Sequence, residues 1–482
     1  TTIANVSLPH MQGSISAASD QITWVLTSYI VAGAIATPLS GWLADRIGRK
    51  RMFLIAIFVF TVASMLCGIA SGLTEMVAFR FLQGLAGAAF IPLSQAELLD
   101  IHPPEQHGTA MAIWTGGAII GRVLGPVMGG HLTEESCWRW CFYINLPFGI
   151  LAFLGVWIFM SADGISRARR FDFTGFIALA VFVTAFQLML DRGPGLDWFG
   201  SPEIWIEAML AAMGLWVFLA HSLTTSNPFF NPRLLVDRNF LPAAGFAFMT
   251  TMLLYAVLAL VPPLTQTLLG FPVITAGMVM MPRGVASLAM MFVIGPLVAR
   301  FDPRLLLILG VSLTGFATWQ MTQFDLGMPE EPIIIAGIVQ GIGMGFLFVP
   351  LTMLAFGTLA RDLRPEASAM FALIRNLGGS IGIALMQAQI ASNSQAMHAS
   401  MANRIDTADP LLRQGFPAGM DPATPEGLEG LVGFISKQAT MVAYLDVFWL
   451  MTVICVVCIP IALLLKRPRG AAPPPEETMH VE

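Results

Sequence analysis

Long apolar runs recur along the whole chain, and polar residues are concentrated between them. Thirteen runs approach or exceed the roughly 18 residues that carry an α-helix across a bilayer. They lie at 22–42, 52–71, 75–98, 109–131, 141–160, 173–192, 203–223, 241–263, 273–298, 305–324, 332–356, 367–391 and 441–465. The pattern therefore predicts an all-α membrane protein with thirteen complete spans.

A shorter apolar stretch opens the chain. Residues 1–11 are too few to cross a bilayer, and the first residue is not methionine. We therefore expect the chain to start inside a helix whose first half is missing, which would give fourteen spans in the parent protein.

Composition agrees with this class. The 482 residues are 56% hydrophobic and only 11% charged, far below the roughly 25% charge of soluble domains. The net charge of −5 is spread over the loops, so we expect no nucleic-acid partner. The seven histidines have no metal-ligand spacing, and the chain contains neither a Walker-type glycine loop nor a catalytic constellation. We therefore predict a protein that is not an enzyme and has no cofactor.

The distribution of cations predicts the orientation. Sixteen of the 25 Lys and Arg residues fall on one face of the predicted topology, five on the other and four within spans. Because the cytoplasmic side carries the Lys/Arg excess, the first face is predicted to be cytoplasmic.

A cation-rich turn follows the 22–42 run. Residues 41–51 read Gly-Trp-Leu-Ala-Asp-Arg-Ile-Gly-Arg-Lys-Arg. They resemble the loop motif between the second and third helices of the major facilitator superfamily. The consensus positions of this gating motif are occupied by Gly41, Asp45, Arg46, Gly48 and Arg49. The resemblance implies that Asp45 and Arg49 hold the cytoplasmic helix ends in the outward-open state. A weaker copy at residues 295–304 indicates a second, similar half.

Two further motifs lie in the following spans. Residues 80–87, Arg-Phe-Leu-Gln-Gly-Leu-Ala-Gly, are similar to the superfamily's fourth-helix motif. Residues 121–130 resemble the antiporter motif of the fifth helix, which is found in exporters. Its residues here are Gly121, Gly125, Pro126, Gly129 and Gly130. Glycines four apart share one helix face and let a neighbouring helix approach, while the proline bends the helix.

Other segments narrow the resemblance. They are Trp-Arg-Trp-Cys-Phe-Tyr-Ile-Asn-Leu-Pro-Phe-Gly at 138–149, Leu-Asp-Arg-Gly at 190–193, Asp-Trp-Phe at 197–199, and Arg-Asn-Leu-Gly-Gly-Ser-Ile-Gly at 375–382. Together they look like the fourteen-span drug:proton antiporters of the EmrB type. The resemblance implies a six-helix N-terminal bundle at 1–162, two inserted helices at 163–232, and a six-helix C-terminal bundle at 233–482. Residues 392–440 of the last bundle are predicted to form an extracytoplasmic cap.

Proton coupling is predicted to involve arginines inside spans. In the resembled exporters, the fourth-helix arginine is coupled to a first-helix Asp that would precede Thr1 here. A buried cation needs a partner because hydrocarbon disfavours charge by several kcal/mol, and Asp446 is expected to be the most secluded carboxylate. The alternative for Asp446 is a solvated or structurally paired group near the interface. Where the family has an apolar residue or Pro, this chain has Arg122. The proposed coupling residues are Arg80, Asp446 and Arg122.

The substrate site is expected at mid-membrane between the two halves. The candidates for its lining are Gln83, Arg283, Arg375 and Asn376. Methionines at the same depth could form an adaptable apolar wall, although most are expected to pack or to face lipid.

The resulting prediction is a proton-driven antiporter. It would export hydrophobic or amphipathic drugs across a bacterial inner membrane with a periplasmic adaptor of the membrane-fusion class and an outer-membrane channel. The alternatives are an uptake permease or a lipid or fatty-acid exporter on the same fold, or a non-transporting membrane receptor or scaffold.

Overall fold

The computed structural model describes residues 2–15, 17, 22, 24–103, 106–161, 171–225, 228–359, 363–404 and 424–465. Within these ranges the chain forms seventeen α-helices. They are α1 Thr2–Ser14, α2 Trp24–Ile47, α3 Arg49–Ile69, α4 Leu73–Gly87, α5 Phe90–Ile101, α6 His107–Glu135, α7 Trp140–Tyr143, α8 Asn145–Phe159, α9 Phe173–Arg192, α10 Pro202–Thr224, α11 Arg233–Val236, α12 Phe240–Pro263, α13 Val273–Arg300, α14 Pro303–Met321, α15 Glu331–Phe356, α16 Arg364–Arg404 and α17 Pro425–Leu464. A π-helical turn, Leu264–Leu268, continues α12.

The predicted spans are confirmed as helices. Twelve stretches of the described chain are long and apolar enough to cross a membrane. Each overlaps one predicted run, and α6 covers the remaining run at 109–131. The agreement arises because a continuous run of about 20 apolar residues satisfies its backbone only as a helix in lipid.

Local sequence sets where several helices begin. Ser201, Asp302 and Thr424 each stand before a proline at the first helical position, and each side chain accepts a hydrogen bond from a backbone N–H of the first turn. Proline is compatible with this position because its missing N–H would have no helical partner. Asp302 belongs to the weaker copy of the gating motif, and here it caps α14.

The helices form two halves with an inserted pair between them in sequence. Buried side chains of α12, α14, α15, α16 and α17 form the largest apolar core. The halves meet through α2 against α16 and α6 against α13, with further contacts of α5 with α16 and of α6 with α15. The cation-rich end of the bundle is called the inner end below and the opposite end the outer end.

The inserted pair, α9 and α10, spans the junction of the halves. Leu179 and Val183 of α9 share a buried cluster with Ala34 of α2 and Leu373 of α16. At the outer end of α9, Asp191 accepts hydrogen bonds from Thr27 Oγ1 at 2.8 Å and from Gln187 Nε2 at 3.0 Å. The Leu-Asp-Arg-Gly segment at 190–193 thus ties the inserted pair to α2.

Within the described residues, the segment at 392–440 that is predicted to form a cap consists mostly of the ends of two long helices. Helix α16 has 41 residues and α17 has 40, so each is about 60 Å long at a rise of ~1.5 Å per residue. A bilayer core takes up about 30 Å of that length. The two helices therefore extend well beyond the outer end, where the Ser394 and Thr440 hydroxyls lie 3.0 Å apart. Residues 405–423, which also belong to the predicted cap, lie outside the described residues.

Candidate functional site

A cavity lies where the two halves meet, and we call it the central cavity. Helices α5 and α6 line it from the N-terminal half, and α12, α15 and α16 line it from the C-terminal half. The lining residues are Ile91, Gln95, Met111, Trp114, Thr115, Ala118, Ala247, Thr250, Thr251, Phe348, Leu351, Thr352, Phe371 and Arg375. Those of α6, α12, α15 and α16 belong to the inner halves of their helices, and α5 itself forms the inner part of the span at Leu73–Leu98.

The central cavity is small in this conformation. Its volume of about 50 Å³ has room for a few water molecules at ~10–15 Å³ each and falls well short of the ~300–1,000 Å³ of a drug-sized site. Four of the helices that line it also touch across the halves, α5 with α16 and α6 with α15. A solute of drug size therefore enters only when the halves move apart.

Four threonines give the lining its mixed character. Thr115, Thr250, Thr251 and Thr352 each donate their hydroxyl to the carbonyl of the residue four positions earlier. With the proton directed along the helix, each side chain presents a methyl group and acceptor lone pairs to the cavity. Such a surface suits apolar and amphipathic solutes because it leaves few donors unsatisfied.

Arg375 supplies charge to the central cavity. Among the described residues that line it, Arg375 alone carries a formal charge at neutral pH. Its guanidinium lies over the Phe348 ring, 5.6 Å from the ring centroid, an arrangement that stabilises a cation in apolar surroundings. Of the four predicted lining residues, Arg375 is placed in this cavity. Gln83, Arg283 and Asn376 are not among its lining residues.

Arg80 and Gln83 form a separate buried site in the N-terminal half. Arg80 is 2% exposed, and its Nε donates to the Val25 carbonyl at 3.2 Å while Nη1 donates to Gln83 Oε1 at 2.9 Å. The guanidinium also lies over the rings of Tyr29 and Phe142. Its Nη2 has no hydrogen-bond partner among the residues that the structure describes. Arg80 therefore has a donor left for an anionic group.

The other predicted coupling residues are placed differently. Asp446 is exposed on the surface of α17 and accepts a hydrogen bond from Asn393 Nδ2 at 3.2 Å. The expectation of a secluded Asp446 was therefore wrong, because distance along a span does not determine which face a side chain occupies. Arg122 belongs to α6, and its side chain lies outside the described part of the structure.

The gating motif forms the tight inner turn that the sequence predicts. Gly48 alone separates α2 from α3 and has φ 90°, a conformation that disfavours any residue with a Cβ. Arg49 forms ion pairs with Asp100 and, at 3.8 Å, with Glu97 of α5. Arg46 lies over the Trp42 ring. Gly41 is in α2, and the Asp45 side chain falls outside the described residues.

The antiporter motif packs closely at one of its glycines. A Cβ at Gly129 would lie 2.8 Å from the Ile3 carbonyl oxygen, so α6 and α1 approach backbone to backbone there. Gly125 is also buried. At Gly121, however, a Cβ would meet nothing within 4 Å, so the expected helix contact is absent at that position of the described structure. Pro126 and Gly130 are in α6, and their surroundings lie outside the described residues.

Sequence reasoning missed most of the central cavity. Gln95, Thr250 and Thr251 are polar residues inside long apolar runs and are all buried. Buried polar side chains within spans mark functional sites, so this signal could have identified them. Nothing in the sequence marked Trp114 as a cavity residue. In the structure its Nε1 donates a hydrogen bond to Ser94 Oγ at 2.9 Å, which fixes the ring beside the cavity.

Taken together, two halves of spanning helices with a cavity between them define a membrane transporter fold. Solved structures of this fold include the human organic anion transporter MFSD10, with a TM-score of 0.57 at 12% identity, covering 93% of this chain and 88% of that one. The proton:xylose symporter XylE gives a TM-score of 0.60 at 13% identity, covering 94% and 90%. At these identities the likeness concerns the fold alone.

Sequence comparison then gives the family. The model of the Major Facilitator Superfamily matches residues 1–383, and the chain belongs to this superfamily. The multidrug export protein EmrB of Escherichia coli K12 is 29% identical over 475 residues, covering 98% of this chain and 93% of that protein. EmrB of Haemophilus influenzae is 32% identical, covering 93% and 89%. The fatty acid resistance protein FarB of Neisseria gonorrhoeae is 32% identical, covering 97% and 93%.

Proposed function

We propose that the chain exports hydrophobic or amphipathic compounds across a bacterial inner membrane in exchange for protons. The observation that carries the proposal is the central cavity, which both halves line and which combines aromatic rings, threonine methyls and one cation. Similar chains named multidrug export proteins support the same activity. No cofactor enters the cycle, since the proton gradient would supply the free energy.

Export would proceed by movement of one half against the other. In this conformation α5 contacts α16 and α6 contacts α15 across the two halves, and all four helices line the small cavity. When these contacts separate, the cavity opens to the inner side and enlarges to take a solute. Protonation of a carboxylate would then couple the movement to the gradient, and Arg80, with its remaining Nη2 donor, would hold such a carboxylate in its ionised form.

The outer extensions of α16 and α17 suit a periplasmic adaptor of the membrane-fusion class. They project a pair of helices beyond the bilayer, linked by the Ser394–Thr440 contact. In this proposal the adaptor binds this pair and delivers substrate to an outer-membrane channel.

A fatty-acid exporter is the second candidate function. Arg375 places a cation in an otherwise uncharged cavity, which favours an amphipathic solute with a carboxylate head. The relative named fatty acid resistance protein FarB agrees with this candidate. Competition of a long-chain fatty acid against a neutral drug in the same efflux assay separates the two candidates.

A pair of tryptophan substitutions on α6 tests the cavity. Thr115 lines it, whereas Ile113, two residues away, is 69% exposed on the protein surface. Thr115→Trp should fill the cavity and abolish efflux of a fluorescent hydrophobic drug from cells. Ile113→Trp should leave efflux unchanged. Equal activity of the two variants at matched membrane abundance would place the substrate pathway elsewhere.

A further inference from the structure

A second buried arginine lies in the C-terminal half, apart from the central cavity. Arg283 is on α13 and is 9% exposed. It lies ten residues from the outer end of this helix, about 15 Å along the axis and thus near the bilayer midplane. Its Nη2 has no hydrogen-bond partner among the described residues, and no acidic side chain of these residues forms an ion pair with it.

A glutamine on the adjacent helix is equally unsatisfied. Gln340 of α15 is fully buried, and neither its Nε2 nor its Oε1 has a partner within the described parts of the chain. Helix α15 contacts Arg283 through Gly337 and Gly341, the two glycines that flank Gln340. A Cβ at Gly341 would lie 2.2 Å from the Arg283 carbonyl oxygen, and one at Gly337 would lie 3.5 Å from Arg283 Cβ.

The N-terminal half contains a similar Gln-Gly pair in which the glutamine is hydrogen-bonded to an arginine. Its Gln83-Gly84 pair matches Gln340-Gly341. A Cβ at Gly84 would lie 2.4 Å from the Tyr29 carbonyl oxygen of α2, as Gly341 approaches the carbonyl of Arg283.

The two halves differ in which helix provides the arginine. In the N-terminal half Arg80 comes from the glutamine's own helix, three residues before it, and Gln83 accepts its hydrogen bond. In the C-terminal half that position is Gly337, and Arg283 comes from the facing helix. The position three residues before Gln340 therefore provides no side chain that could bond to this glutamine as Arg80 bonds to Gln83.

We propose that Arg283 and Gln340 form a binding site for a monovalent anion, either chloride or the carboxylate head of an amphipathic compound. A guanidinium near the midplane requires a counter-charge, and the described chain provides none. The guanidinium Nη2 and the Gln340 amide supply N–H donors, which are the groups that bind chloride and carboxylate. Gly337, which stands where the other half has Arg80, has no side chain of its own to satisfy Gln340. This site concerns binding and is independent of the proposed proton-driven export.

A matched pair of substitutions at Gly337 tests the proposal. The 3.5 Å separation admits a Cβ as an ordinary contact. Gly337→Asp would therefore provide an internal counter-charge for Arg283, whereas Gly337→Ala adds the Cβ without charge. The apparent unfolding temperature of the full chain in lipid nanodiscs is measured while chloride replaces methanesulfonate at constant ionic strength. A second series compares laurate with dodecanol.

The wild type and Gly337→Ala should be stabilised by the anion. Without anion, Gly337→Asp should unfold at a higher temperature than Gly337→Ala. The anion concentration that gives half of the stabilisation should be at least tenfold higher for Gly337→Asp than for Gly337→Ala. Arg283→Gln should lose the dependence, while Arg300→Gln, an exposed arginine of the same helix, should retain it. Stabilisation by laurate alone identifies a carboxylate head, and stabilisation by chloride as well identifies a small-anion site. No anion effect on the wild type, or identical behaviour of Gly337→Asp and Gly337→Ala, overturns the proposal.

Discussion

The contact between α2 and α4 depends on a glycine whose replacement has a calculable effect. A Cβ at Gly84 would lie 2.4 Å from the Tyr29 carbonyl oxygen and 2.9 Å from Ala32 Cβ. An ordinary contact begins at 3.4 Å, so in Gly84→Ala the two helices must part by about 1 Å locally. Backbone atoms on the facing helix cannot turn aside as a flexible side chain would.

That separation also breaks contacts of Arg80. Its Nε bond to the Val25 carbonyl would lengthen from 3.2 Å to roughly 4 Å, beyond hydrogen-bond range. The overpacked contact costs about 1–3 kcal/mol, and the lost bond to a charged group adds about 1.5–3 kcal/mol. We therefore expect Gly84→Ala to destabilise the protein by roughly 2.5–6 kcal/mol.

Gly33→Ala is the matched control on the opposite side of the same contact. Its Cβ would lie 3.8 Å from the Gly84 carbonyl oxygen, which is an ordinary van der Waals distance. Apparent unfolding temperatures in nanodiscs should fall by several degrees for Gly84→Ala and stay near the wild-type value for Gly33→Ala. Equal unfolding temperatures for both variants would refute the close approach of α2 and α4.

Three further predictions concern the gate, Asp446 and the outer extensions. Gly48→Val should lower the unfolding temperature because a φ of 90° costs an L-residue about 1–2 kcal/mol. Gly41→Ala is the control and should leave the unfolding temperature unchanged, because the space around its Cβ is open. A Gly48→Val variant as stable as the wild type would contradict the observed turn. Asp446→Asn should retain efflux in cells because the carboxylate is exposed, and a well-expressed but inactive variant would restore it as a proton carrier. Shortening the α16 and α17 extensions beyond Asn393 should reduce export across the cell envelope more than flux in vesicles, and equal loss in both assays would limit the extensions to a role in folding.

The positions of the spans could be predicted because their cause lies within each segment. An apolar run of about 20 residues is sufficient for a spanning helix, and Gly48 could be identified as a turn residue from its place in the motif. The contents of the site depend on which faces of several helices meet. The sequence therefore led to Arg375 but also to Asn376, the next residue along α16, which lies on the protein surface.

The incorrect expectation for Asp446 has the same origin. Its position near the start of an apolar run suggested seclusion, but α17 begins at Pro425 and turns this carboxylate outward. The repeated Gln-Gly pair at 83–84 and 340–341 was visible in the sequence. The arginine that lies beside each pair could be identified only from the structure, because it comes from the glutamine's own helix in one half and from the facing helix in the other.

Proton-coupled flux in proteoliposomes tests the central claim most directly. The purified protein is reconstituted into vesicles with a fluorescent hydrophobic drug outside, and its orientation is determined by labelling. An inside-acid pH gradient is then imposed. The proposed antiport predicts drug accumulation in vesicles with the protein's inner end outward, together with alkalinisation of the lumen, and Thr115→Trp abolishes both. Drug movement that is unaffected by the pH gradient and by Thr115→Trp would contradict proton-driven export through the central cavity.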